Sequence, residues 1–179
     1  GMNVNAPKSW NEVSVKVAAN KYFFKPEDQA WKNKIPNGYE NSPMQLFSRI
    51  SRFFSNWGEK LGYFKDEEEK RIFEDELNYL QINQKVAFNS PVYFNAGLYD
   101  YYGVNGPKGM RWVRNNENGE AERLEDGCYT RPQTHACFIK GPRDDLESLM
   151  DQVKVEGSIF ADGSGIGHDL SYIRARGEP

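Results

Sequence analysis

The sequence is poor in the residues that build metal sites and disulfide frameworks. It has two cysteines and two histidines, and eight residues separate Cys128 from Cys137. No CxxC or HxxxH spacing exists, so we expect no metal site. A hydrolytic Ser-His pair is disfavoured because only two histidines are available as bases. We expect both cysteines to be thiols at rest, so any disulfide would be catalytic rather than structural.

Long apolar runs and blocks of like charge are also missing. No run approaches the roughly 20 residues that span a bilayer, and the N-terminus lacks the features of a signal peptide. We therefore expect a cytoplasmic chain without a membrane partner. The formal charge of -3 comes from interspersed acids and bases, which argues against binding to nucleic acid. A nucleotide remains an acceptable ligand, because a few placed groups suffice to bind it.

Aromatic residues make up much of the apolar content that is present. The hydrophobic fraction is 38%, yet the chain has 11 Phe, 10 Tyr and 4 Trp. Large rings with polar edges suit packing against another domain. Gly1 before Met2 resembles the remnant of a cleaved tag, and the last residues form no closing element, so we expect a truncated piece of a longer chain.

Capping signals predict helices in the first half of the chain. Ser9 and Glu12 fit a capping box for a helix to about Asn20. Ser42 is a good N-cap and Pro43 suits the first helical position of a second helix. Apolar residues then recur at helical spacing: Leu46, Phe47, Ile50, Phe53, Phe54, Trp57 and Leu61.

Asp66 and Glu69 repeat the capping pattern and predict a third helix to about Gln84. The stretch from Ala30 to Glu40 is polar and rich in turn residues, so it is predicted to be a loop. The N-terminal third is therefore predicted to be helical.

Strand and hairpin signals follow. Residues 110–124 predict a hairpin that turns at Asn118-Gly119, residues 135–140 a short strand, and residues 144–160 a helix that ends at the glycines of 163–167. Five residues of that helix are expected to face inwards: Leu146, Leu149, Met150, Val153 and Phe160.

Three segments suggest chemistry, although each has a structural explanation. Asn89-Ser90-Pro91 places a hydroxyl in a non-regular stretch, but Ser-Pro is also a common turn. Cys137 lies in a β-like run, where a free cysteine is often only a small buried hydrophobe. The run Asp162-Gly163-Ser164-Gly165-Ile166-Gly167 can present amides to a phosphate, but Gly163 alone is explained as a helix C-cap.

Taken in order, these segments are similar to one family. The succession is Asn-Ser-Pro-x-x-Phe-Asn-x-Gly (89–97), Arg-Pro-Gln-x-His-Ala-Cys-Phe-Ile (131–139), an acidic helix, Gly-Ser-Gly-x-Gly (163–167) and Leu-Ser-x-x-Arg (170–174). It resembles the start of the large chain of class II, adenosylcobalamin-dependent ribonucleotide reductases. The likeness extends upstream through Val17-Ala18-x-x-Lys21-Tyr22-Phe23 and Trp57-Gly58-x-x-x-Gly62-Tyr63-Phe64.

The resemblance implies roles for individual residues. In that family a cysteinyl radical removes a hydrogen from the ribose, and two other cysteines reduce the 2' carbon while becoming a disulfide. Cys137 corresponds to the first of that reducing pair. Ser90, Ala136, Ser164 and Gly165 correspond to positions that line the phosphate and ribose of the substrate. Ala136 stands where some relatives have serine. Cys128 falls outside the mechanistic cysteines.

The resemblance also implies partners. Asp144 and Arg174 match positions around an allosteric dNTP or ATP effector, and the helix over residues 145–160 would pack against its twin in a homodimer. The full-length enzyme would use adenosylcobalamin and a thioredoxin-like or other dithiol reductant. This piece alone is expected to hold no cofactor and to be inactive, because the radical cysteine and the partner of Cys137 would lie beyond Pro179.

The expected fold is α+β. A helical domain over residues 1–86 precedes the first strand and helix of a ten-stranded α/β barrel over residues 87–179, with a hairpin insertion at about 105–130. Two rival interpretations remain. One is a non-catalytic nucleotide-sensing module on the same piece of fold, and the other is a glycyl-radical or other reductase class that shares the barrel.

Overall fold

The computed structural model describes residues 3–108, 111–161 and 163–178. The chain folds as helices followed by two small two-stranded sheets. A π-helical turn (Ala18–Tyr22) continues α1, and a 3-10 turn (Pro36–Gly38) follows α2. The elements are α1 (Glu12–Val17), α2 (Gln29–Lys32), α3 (Pro43–Lys60), α4 (Glu67–Ile82), α5 (Ser90–Asn95), α6 (Leu98–Tyr102), β1 (Trp112–Arg114), β2 (Ala121–Arg123), β3 (Cys137–Lys140), α7 (Leu146–Ala161) and β4 (Gly165–His168).

The predicted caps of the two long helices are confirmed. The Ser42 hydroxyl accepts the Met44 amide at 3.1 Å, with Pro43 in the first turn of α3. Asp66 accepts the Glu69 amide at 3.0 Å at the start of α4. Such caps satisfy amides that have no partner inside the helix.

The predicted cap of α1 is wrong. Asn11, not Ser9, is the N-cap, and its side chain accepts the Ser14 amide at 2.8 Å. The predicted loop from Ala30 to Glu40 is also only partly irregular, because it contains the end of α2 and the 3-10 turn. Asp28 caps α2 by accepting the amides of Ala30 and Trp31.

The main core lies where α3 crosses the π-helical turn and α5. Tyr93 of α5 packs against Phe47 of α3, with 6.2 Å between the ring centroids. The buried residues of this core are Ala18, Ala19, Phe23, Leu46, Phe47, Ile50, Phe53, Val92, Tyr93 and Ala96. Helix α5 therefore belongs to the same core as the N-terminal helices.

A buried ion pair joins the elements around this core. Arg49 and Glu40 are both fully buried, and Nε of Arg49 lies 2.8 Å from Oε1 of Glu40. The guanidinium also donates to the carbonyls of Tyr93 and Ala96. The carboxylate accepts the Phe24 amide at 2.8 Å as well. Four separate segments of the chain thus meet at one charge pair.

Tyr102 completes the environment of this pair. Its hydroxyl donates to Oε1 of Glu40 at 3.1 Å. Burial raises the pKa of Tyr102 far above its ordinary value, and the Glu40 carboxylate raises that pKa further. The phenol is therefore a protonated donor at neutral pH.

Gly97 is required beside Arg49. Its φ of 74° is left-handed, and an added Cβ would lie 2.4 Å from the backbone oxygen of Arg49. A side chain at this position would collide with α3, so glycine allows α5 and α6 to turn closely over the ion pair.

The hairpin is confirmed. Strands β1 and β2 pair antiparallel, with Trp112 opposite Arg123, and Gly119 has a φ of 75° in the turn. The predicted start at Met110 lies outside the described residues. Trp112 is exposed, so the hairpin extends away from the core.

The second sheet contains β3 and β4, which pair in parallel with α7 as the crossover. The prediction that the apolar residues of α7 face inwards is wrong for four of them. Leu146, Met150, Val153 and Phe160 are exposed, whereas Leu149 is partly buried. Within the described residues, no helix is both long and apolar enough to cross a bilayer.

Replacing Arg49 should destabilise the chain strongly. Arg49→Met leaves the Glu40 carboxylate buried without its partner, which costs about 3 to 5 kcal/mol. Urea unfolding followed by circular dichroism measures the loss. The matched control is Arg71→Met, because Arg71 pairs with Asp75 on the surface at 3.0 Å, and this change should cost less than about 1 kcal/mol. Equal losses in both variants would contradict a central role for the buried pair.

Candidate functional site

The candidate site is built on the β3–α7–β4 unit. Cys137 is the first residue of β3, and it lies directly opposite Gly165, the first residue of β4. Because successive side chains of a strand point to opposite faces, Cys137 and Ile139 share one face of the sheet. The other face carries Lys140, whose Nζ lies 3.1 Å from Asp151 of α7.

The face that carries Cys137 is not covered by α7. Cys137 is exposed, and Ile139 is 83% exposed. Gly165 and Gly167 occupy the same face of β4 and contribute no side chain there. An added Cβ at Gly165 would have as its nearest neighbour the Ala136 oxygen at 3.7 Å. The thiol therefore stands beside open space at the amino end of the sheet.

Ser164 and Gly165 fasten β4 to the chain before β3. The Ser164 hydroxyl is buried and donates to the His135 carbonyl at 2.5 Å. The Gly165 amide donates to the Ala136 carbonyl at 2.7 Å. The glycine run is predicted to be a loop that can present amides to a phosphate, and the loop prediction is wrong from Gly165 onwards, because Gly165–His168 forms β4. Gly163 does end α7, with a φ of 78°; Asp162 lies outside the described residues.

Helix α5 brings a third segment to this unit. Its Asn89 cap accepts the Val92 amide, so Ser90 starts a short helix rather than an irregular stretch. The Asn95 amide group donates to the Gln133 carbonyl at 2.9 Å. Phe94 lies against Gly163, where an added Cβ would be 3.0 Å from the ring. The motifs over residues 89–97, 131–139 and 163–167 therefore adjoin one another.

Tyr22 and Asn95 take part in this arrangement and were missed as functional candidates. The Tyr22 hydroxyl lies 3.2 Å from the Ser90 hydroxyl. Tyr22 stands in the run Lys21-Tyr22-Phe23, and Asn95 in Asn-Ser-Pro-x-x-Phe-Asn-x-Gly. Their positions inside these motifs were the signal that the sequence offered. The contacts themselves could not be predicted, because the partners lie 68 and 38 residues away in the sequence.

Asp144 and Arg174 meet at the opposite end of the unit. Oδ2 of Asp144 lies 2.9 Å from Nε of Arg174 and accepts the Arg174 amide at 3.2 Å. Both residues follow the carboxyl ends of the strands, whereas Cys137 and Gly165 start them. A four-residue strand separates the two ends by about 10 Å. The end of the unit that carries the Cys137 thiol is therefore distinct from the end that carries the ion pair of Asp144 and Arg174.

Asp169 adds a negative charge between the end of β4 and Arg174. Hydrogen bonds from the Ser171 hydroxyl and amide lower the pKa of Asp169 below its ordinary value. This carboxylate is therefore ionised at neutral pH. The paired Asp144 keeps Arg174 in place while the guanidinium offers further N–H donors at the surface.

The described residues offer little to a metal ion or to a large cofactor. Residues 3–108, 111–161 and 163–178 contain no group of three or more His, Cys, Asp or Glu side chains placed to hold a metal. A cavity of about 560 Å³ opens between the α1 region and residues 84–88. Its lining is mainly aromatic and aliphatic, with Lys85 and without a histidine.

Two family models match the chain. The model described as "Class II vitamin B12-dependent ribonucleotide reductase" matches residues 1–84, and the model described as "Ribonucleotide reductase, barrel domain" matches residues 135–179. The two matches include most of the α-helical region and the whole β3–α7–β4 unit.

Curated relatives match along nearly the full chain. The vitamin B12-dependent ribonucleotide reductase of Rhodopirellula baltica is 38% identical over 173 residues, which are 96% of this chain and 16% of the relative. That of Bradyrhizobium diazoefficiens is 34% identical over 205 residues, with 98% and 16% covered. The ribonucleoside-diphosphate reductase large subunit of African swine fever virus is 48% identical over 46 residues, with 26% and 6% covered. The chain thus spans about 16% of the length of the first two relatives.

The two thiols should differ in accessibility. Cys137 is exposed and Cys128 is buried, so iodoacetamide should label Cys137 roughly tenfold faster or more in the folded chain. Mass spectrometry of tryptic peptides after short labelling times measures both rates. In urea the rates should converge. Faster labelling of Cys128 in the folded chain would contradict the exposed position of Cys137.

Proposed function

Because the chain belongs to the class II, vitamin B12-dependent ribonucleotide reductases and matches their N-terminal part, we propose that it acts within an enzyme that reduces ribonucleotides to deoxyribonucleotides by radical chemistry. The observation that carries the proposal is the thiol of Cys137, which starts β3 on the face that α7 leaves open. A thiol on a strand is held rigidly, as productive geometry with a sugar requires.

Cys137 would act as one half of a dithiol reductant. In the reaction the 2' hydroxyl leaves as water and a hydrogen takes its place on the carbon. The two electrons come from Cys137 and a second cysteine, whose thiols lose two hydrogens and become a disulfide. Cys128 is buried away from the open face, so the second cysteine and the radical cysteine would belong to other parts of the full-length chain. We expect this piece alone to be inactive.

Substrate binding would depend on serine hydroxyls and on the space that small side chains leave for the sugar. Ser90 is half-buried at the start of α5 and can donate to a phosphate oxygen. Ser164 donates to the His135 carbonyl, so its contribution would be to hold the strands beneath the ribose. Ala136 and Gly165 would leave room for the sugar beside the thiol. Small side chains at these positions add no competing base.

Asp144 and Arg174 would bind the allosteric nucleotide. Their ion pair of 2.9 Å fixes the guanidinium at the carboxyl ends of the strands, and planar guanidinium donors suit phosphate oxygens. A dNTP or ATP effector there would lie about one strand length from Cys137. A thioredoxin-like or other dithiol would return the disulfide to thiols.

The wider architecture is likewise proposed. β3 and β4 would be the first parallel strands of a ten-stranded α/β barrel, which begins after a helical domain over residues 1–86. Parallel sheets are normally covered on both faces, and the face with Cys137 would be the interior of that barrel. The hairpin of β1 and β2 would be an insertion at about residues 105–130.

Cobalamin, which the family implies, would supply the radical when bound. The described residues do not fit a corrinoid, because the cavity of about 560 Å³ is smaller than the ring with its amide side chains and is lined mainly by apolar groups. Adenosylcobalamin would therefore be held by other parts of the full-length chain.

The decisive experiment compares Cys137→Ser with wild type in a full-length reductase that carries these residues. With adenosylcobalamin and dithiothreitol, the variant should lose ribonucleotide reduction by roughly a thousandfold or more, because the second cysteine has no partner with which to form the disulfide. Cys128→Ser is the matched control and should keep its activity. Equal activity in all three proteins would remove the proposed role of Cys137. A folded but inactive wild type would favour a nucleotide-sensing module instead.

The exposed apolar stripe of α7 would form a homodimer interface. Leu146, Met150, Val153 and Phe160 lie on this side of the helix, and apolar stripes of this kind pack against a second helix. Met150→Glu in the full-length protein should therefore shift the sedimentation-equilibrium mass from dimer to monomer. Lys154→Glu, an exposed polar change on the same helix, should leave the dimer intact. A dimer in both variants would exclude this interface.

A further inference from the structure

Tyr22 lies between the N-terminal core and the segment that begins with Ser90. It ends the π-helical turn, in which the Phe23 amide donates to the Ala18 carbonyl at 3.0 Å. Its hydroxyl lies 3.2 Å from the Ser90 hydroxyl. π-Helical turns alter the direction of the side chains that follow and often occur near functional sites. The turn therefore sets where this hydroxyl lies.

The Tyr22 ring is held on two sides by α5. It stacks on Phe94 with 5.7 Å between centroids, and it meets Tyr93 edge-on at 5.3 Å. Phe94 in turn lies against Gly163 at the start of the β4 segment. A ring fixed in this way holds its hydroxyl in one place.

The chemistry of a phosphate sets the direction of the hydrogen bond between the two hydroxyls. A phosphate oxygen only accepts, and a serine hydroxyl has one proton. If Ser90 donates to a substrate, Tyr22 must donate to Ser90. We propose that Tyr22 is a positioning residue for substrate binding, whose hydroxyl donates to Ser90 and so directs the Ser90 proton at the nucleotide phosphate. This inference rests on the proposed substrate role of Ser90.

The test is the steady-state reduction of a ribonucleotide substrate by the full-length reductase. Tyr22→Phe keeps the ring and removes the hydroxyl. It should raise KM about threefold to tenfold and leave kcat within about twofold, because the lost interaction acts on binding. Ser90→Ala should raise KM as well. Adding Tyr22→Phe to Ser90→Ala should then cause no further increase, since the two residues act through one hydroxyl.

Tyr93→Phe is the matched control. The Tyr93 hydroxyl bonds the Phe88 amide at 3.1 Å rather than Ser90, so this variant should be less stable but have an unchanged KM. An equal KM increase in Tyr93→Phe and Tyr22→Phe would overturn the inference, as would an unchanged KM in Tyr22→Phe when Ser90→Ala raises it. An unchanged KM in Ser90→Ala would instead remove Ser90 from the proposed site.

Discussion

The buried pair of Arg49 and Glu40 is the interaction on which the rest of the structure depends. A guanidinium and a carboxylate without solvent are costly unless their donors and acceptors are satisfied. Here the remaining partners are the backbone groups of two other segments, the chain at Phe24 and helix α5, and the Tyr102 hydroxyl. In this arrangement α3, α5, α6 and the chain before them all contribute a partner to the pair. Polar requirements therefore fix the positions of elements that apolar packing alone would leave adjustable.

Helix α5 connects the buried ion pair to the candidate site. Tyr93 and Ala96 are buried in the core and offer their carbonyls to Arg49. Ser90, Phe94 and Asn95 contact Tyr22, Gly163 and Gln133 respectively. A six-residue helix thus has one side in the N-terminal core and the other against the approach to β3 and the start of β4. Because α5 has only six residues, the contacts on its two sides lie within two helical turns of each other.

Local signals in the sequence were enough to predict α3 and α4, since Ser42, Pro43 and Asp66 act on neighbouring amides. They were not enough for contacts between distant segments. Nothing near Glu40 indicates that it pairs with Arg49. The apolar spacing of α7 correctly indicated a helix, but not that its stripe would be exposed within these residues. The family resemblance is confirmed by the comparisons, and the role that it implies for Cys137 stays a prediction. The register that places Gly165 opposite Cys137 required the structure.

The parallel pairing of β3 and β4 has a consequence for handling the isolated chain. Within the described residues each of these strands has one edge without a partner strand. Unpaired strand edges recruit other strands, and a flat apolar face increases the tendency. The exposed Ile139 and the two side-chain-free positions of β4 provide such a face. Concentrated solutions of this chain should therefore self-associate through sheet extension, and short charged peptides designed to cap that edge would act as solubilising agents.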